Sequence, residues 1–115
     1  MGKRARKRAR QEPARTFDYA DADGNVLTLR ERVSPGTAAK LREPAGGAAA
    51  SADDLWRRRT ELLFERFAVS WTISGLPLTG QGELLGRYRL ATPAEQQWVR
   101  ETLDRHVAEH QPELG

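Results

Sequence analysis

Residues 51–78 read SADDLWRRRTELLFERFAVSWTISGLPL, and how they fold decides what the rest of the chain packs against. Trp56, Thr60, Leu63, Phe67 and Trp71 recur at spacings of three and four residues, the spacing that lines up one face of an α-helix. Leu55, Leu62, Val69 and Ile73 widen that apolar stripe, and Arg57, Arg58, Glu61 and Glu65 fill the opposite side. Ser51 is placed to accept from the first turn, and Asp53 and Asp54 put negative charge at the positive end of the helix. Gly75 and Pro77 mark the stop. This reading predicts one long helix over about 52–73, with Trp56, Leu63, Phe67 and Trp71 as core. Burying each of those side chains contributes on the order of 1.5–3 kcal/mol before entropy.

Downstream, Thr79 stands as a cap for a second helix over about 79–90, with Leu84, Leu85 and Tyr88 inward. Gly80, Gly82 and Gly86 each weaken it by roughly 1 kcal/mol relative to alanine. Thr92-Pro93-Ala94-Glu95 is the strongest local signal in the chain: a capping threonine, proline at the first helical position and glutamate at the third. It predicts a third helix over about 93–109, with Val99, Leu103 and Val107 in an i+4 apolar row and Pro112 beyond its end.

Upstream, Thr16–Tyr19 and Val26–Arg30 are short runs with β-formers around Asp21-Ala22-Asp23-Gly24-Asn25. Asp-Gly is a hairpin signal because glycine accepts positive φ. Two strands alone are marginal, so the hairpin has to pack on the helices or on a partner. The same turn carries Asp21, Asp23 and Asn25 at the first, third and fifth positions of a calcium loop. The sixth position is Val26, where glycine is required, and the twelfth is Arg32, where a bidentate acid is required. Ser34-Pro35 opens a short helix to Arg42, and Pro44 ends it. The expected organisation is therefore a basic tail (1–15), a β-hairpin (16–32), a short helix and flexible linker (33–50) and a three-helix body (51–115): a mainly α protein with a small N-terminal hairpin.

Charge is divided along the chain. Seven basic side chains and one acid fall within residues 1–15, a net +6, while residues 16–115 carry a net −3. The tail has no Leu, Ile, Val, Phe or Trp with which to offset its ordering entropy, so disorder is expected when it is free. Lys3, Arg4, Arg6, Lys7, Arg8 and Arg10 are the candidate contacts to nucleic-acid phosphate or another anionic partner. No aromatic residue interleaves them, which removes base stacking as their mode.

Catalytic constellations are scarce. Cysteine is absent, which excludes disulfides, thiolate metal sites and a cysteine nucleophile. No serine sits in a nucleophile elbow, and Gly80-Gln81-Gly82 lacks both the third glycine of a dinucleotide fingerprint and the Lys-Ser/Thr of a phosphate loop. His106-Val107-Ala108-Glu109-His110 matches the H-x-x-E-H pattern of inverzincins, with both imidazoles on one helix face. Only Glu113 follows as a further acid, so the reading here is two exposed histidines at a helix end, weak metal candidates whose replacement costs little stability. The chain is expected to be a non-enzymatic protein without cofactor. With no apolar run long enough for a membrane helix and no secretory h-region, it is expected to be cytoplasmic.

The first functional reading is an adaptor that meets a protein partner, or a second copy of itself, through the aromatic helical body, with the tail as electrostatic anchor. The alternative is a sequence-nonspecific nucleic-acid-associated protein that binds phosphate through residues 3–10. The layout, a hairpin followed by a helical body, resembles that of small phage-tail assembly chaperones. That resemblance is carried by layout and by no diagnostic residue; it implies a third reading, a chaperone of a larger assembly.

Overall fold

The computed structural model describes residues 15–42 and 51–114. The tail segment 1–14 and the linker segment 43–50 lie outside the described residues, and so do the expectations attached to them.

In chain order the elements are β1 (Thr16–Ala20), β2 (Val26–Arg30), α1 (Pro35–Arg42), α2 (Ala52–Phe67), β3 (Ala68–Ile73), β4 (Leu76–Leu78), α3 (Gln81–Arg89), α4 (Pro93–His110) and a short 3-10 turn (Pro112–Leu114). The strands form one antiparallel sheet in the order β1-β2-β3-β4. This corrects the expected fold: the sheet is not a small N-terminal hairpin, and the body is not helical alone, since two of the four strands lie between its first and second helices. The long helix ends at Phe67, and Ala68–Ile73 becomes a central strand paired with β2.

The sequence of that strand explains the change. Val69, Thr72 and Ile73 are β-branched, and Trp71 is aromatic, all residues that fit a pleated, half-buried surface. Ser74-Gly75 then closes a two-residue hairpin into β4, with φ of 52° at Ser74 and 80° at Gly75. Positive φ at both central positions is the turn geometry whose twist matches antiparallel strands. Gly75 is thus a hairpin residue, not a helix cap. The same shift moves the start of α3 from Thr79 to a cap at Gly80.

The sheet's inner face carries the row Tyr19, Leu27, Trp71 and Leu78, which are direct cross-strand partners. Phe17 pairs with Leu29, and Leu29 pairs with Ala68 across a bulge. Leu27 and Leu29 are wholly buried, and Leu63, Phe64, Phe67, Tyr88, Val99, Leu103 and Val107 from the helices complete one core with them. The other face shows Asp18, Thr28 and Ser70, with Ala20, Val26 and Thr72 beside them, all outside that core. An antiparallel sheet covered on one face and solvated on the other alternates in this way.

Of the expected core, Leu63, Phe67, Trp71, Val99 and Leu103 are buried, but Trp56 is 44% exposed. It sits in the first turns of α2, beyond the sheet strand that fills the core with Trp71. At the far end, α4 is closed by the expected capping box: Glu95 N–H donates to Thr92 Oγ1 at 3.1 Å, and Thr92 N–H donates to Glu95 Oε1 at 3.0 Å.

Candidate functional site

The two histidines of the H-x-x-E-H run are not an exposed pair. His106 is wholly buried, because the inner face of the hairpin lies over the last turns of α4. Its Nε2 is 2.8 Å from the Arg30 carbonyl, and its Nδ1 is 2.6 Å from the Tyr19 hydroxyl. A carbonyl only accepts, so Nε2 carries the proton, and Nδ1 accepts from Tyr19. Phe17, Tyr19 and Phe67 surround the ring edge-on at centroid distances of 5.9, 5.6 and 5.6 Å. Burial pushes the imidazole pKa below its usual 6.5 and the neighbouring His110 adds to this, although the Arg30 carbonyl works in the opposite direction. Burial also raises the Tyr19 phenol, which keeps it a donor.

His110 stacks on Phe17 with centroids 4.2 Å apart. Both nitrogens of His106 are already used, so a metal would have to displace the bonds that hold the hairpin to α4. Among the described residues, no three His, Cys, Asp or Glu side chains are grouped to hold a metal. The buried, doubly bonded imidazole is a structural pin. The sequence carries one overlooked sign of it: Phe17 and Tyr19 alternate towards an inner face that needs an aromatic or polar partner.

Three arginines of the body are tied to neighbouring elements. Arg59 donates to the carbonyls of Leu41 and Leu114, tying α1 and the C-terminal turn to α2. Arg87 pairs with Glu95 at 2.9 Å and Arg89 with Glu61 at 2.8 Å. The six tail residues Lys3, Arg4, Arg6, Lys7, Arg8 and Arg10 lie outside the described residues.

One aromatic side chain among the described residues is exposed, and that is Trp56. The Arg100 guanidinium, from α4, lies 3.4 Å from the centre of its ring, a cation–π contact. Leu55, at 37%, is exposed beside it in sequence. Nothing local in the sequence pairs Trp56 with Arg100; forty-four residues separate them, and only the packing of α2 on α4 brings them together.

No helix among the described residues is long and apolar enough to cross a membrane. Comparison of the chain with family models, with curated proteins and with solved structures finds no match.

Proposed function

We propose that the chain is a non-enzymatic adaptor that engages a protein partner through the exposed start of α2, with the basic segment 3–10 as an electrostatic anchor. The single observation behind this reading is Trp56. A large indole left 44% exposed and held by Arg100 loses little side-chain freedom on binding, and Trp and Arg dominate interface hot spots.

A second reading keeps the charge division in view: net +6 over residues 1–15 against −3 over the rest supports nonspecific contact to nucleic-acid phosphate through Lys3 to Arg10. The two separate by experiment. In the adaptor reading, Trp56→Ala abolishes capture of the partner by the tagged protein, with or without nuclease, while circular dichroism shows the fold retained; deleting residues 1–12 leaves capture nearly intact. In the second reading, fluorescence titration shows RNA binding that weakens steeply from low to physiological salt and vanishes on the same deletion, and Trp56→Ala changes nothing.

A further inference from the structure

At the end of α2 opposite Trp56, about 15 Å away by helix rise, a cleft of about 250 Å³ opens between β2, α1, α2 and α3. Arg30, Arg32 and Arg66 line it together with Thr37, Gln81 and one acid, Glu65. Arg32 is committed, donating to the His110 carbonyl at 2.7 Å and to the Glu113 carboxylate. Arg30 and Arg66 form no ion pair or side-chain hydrogen bond among the described residues. Arg30 Nε is shut off from solvent and has no partner among the described residues. A buried donor left unpaired costs about 1–3 kcal/mol, and two guanidinium groups in one cleft repel each other. Both costs fall if an anion enters.

The remaining lining is made for an anion as well. The Thr37 hydroxyl accepts from Ser34 at 3.0 Å, which leaves its own hydrogen to give. Gln81 uses one amide hydrogen on the Glu65 carbonyl and keeps a second, and in doing so it partly covers the negative end of α2. The α3 helix starts here with Gly80 as its cap and no side chain on its first-turn N–H groups. Side-chain donors on four separate segments therefore border the cleft, enough to serve several oxygens of one phosphate.

We propose that this cleft binds a phosphate dianion, free or as a small phosphate ester, through the guanidinium groups of Arg30 and Arg66. The site is independent of the surface around Trp56. Isothermal titration of the full chain with inorganic phosphate, and separately with glycerol 2-phosphate, at constant ionic strength tests it. Saturable one-site binding is expected, with amide shifts in NMR confined to residues 30–34, 36–37, 65–66 and 80–82. Arg66→Gln, at an exposed position on α2, weakens it by roughly tenfold or more, the loss of one charge-assisted bond. Glu65→Gln removes the opposing carboxylate and tightens binding. Arg89→Gln, in the neighbouring groove, leaves affinity unchanged. Tighter binding of the ester than of inorganic phosphate identifies the ester as the occupant, and the reverse identifies free phosphate. Shifts that grow linearly with salt, or affinity indifferent to Arg66→Gln, overturn the proposal.

Discussion

At the scale of single residues, His106 carries the largest revision of what the sequence suggests. Its ring is both a core filler and a hydrogen-bonded link from α4 to the backbone of β2 and to the hydroxyl of Tyr19. His106→Ala leaves the Arg30 carbonyl and the Tyr19 hydroxyl unpaired beside a cavity, so a loss of at least about 2 kcal/mol is expected. Denaturant unfolding measures it; an unchanged midpoint contradicts the pin. The depressed pKa adds a sign that can be checked. Above pH 6.5 both folded and unfolded imidazoles are neutral, and the stabilisation is fully present. As pH falls through 6.5 the unfolded chain takes up a proton that the folded one resists, so stability declines. The slope is at most about 1.4 kcal/mol per pH unit and levels off once folded His106 is itself protonated. In His106→Asn this contribution to the pH dependence is absent.

At the scale of elements, residues 68–78 decide between a helical and an α/β body. Trp71 is four residues from Phe67 and two from both Val69 and Ile73, so it satisfies the helical period and the strand period together, and it is buried in either. The β-branched residues and the Ser-Gly turn break the tie. Ser74 occupies a φ of 52°, where a non-glycine residue is strained, and its N–H donates to Asn25 Oδ1 at 3.0 Å, joining the two hairpin turns. Ser74→Asn keeps that N–H and suits the conformation better, so it is expected to stabilise by about 0.5 kcal/mol. Gly75→Ala, at φ 80°, is expected to destabilise by about 1–2 kcal/mol. Thermal melts of the two variants should therefore move in opposite directions; shifts in the same direction contradict the turn geometry.

At the scale of the whole molecule, the two hairpins meet through β2 and β3, which pairs residues 26–29 with 68–72. Leu27 and Leu29 from the first hairpin share one buried core with the inner faces of α2 and α4. Phe67, wholly buried, is at the junction of helix, sheet and His106, and Phe67→Ala is expected to cost about 3–5 kcal/mol. For the same reason a fragment comprising residues 51–115 is expected to lack a cooperative melting transition, since without β2 the edge of β3 and the core face both meet water. A sharp two-state melt of that fragment contradicts this account.

The sequence by itself determined whatever depends on neighbours along the chain. The Asp21–Asn25 turn, the cap at Ser51 and the capping box at Thr92 are written in adjacent residues, because the groups that bond are three or four positions apart. So were the start of α2 and the inward placement of Leu63, Phe67 and Leu103, since a single period fits them. Tertiary structure alone decided the rest. The helix-to-strand switch at Phe67 requires β2 as a partner for β3. Trp56 stays at the surface because Trp71, delivered by that strand, occupies the core. His106 is buried and neutral because Phe17 and Tyr19, nearly ninety residues away in sequence, close over it. Arg30 and Arg66 share a cleft only once β2 and the end of α2 are packed side by side. A local pattern fixes which groups lie on a face, but not what that face will meet, because long-range pairing is chosen by the free energy of the complete core.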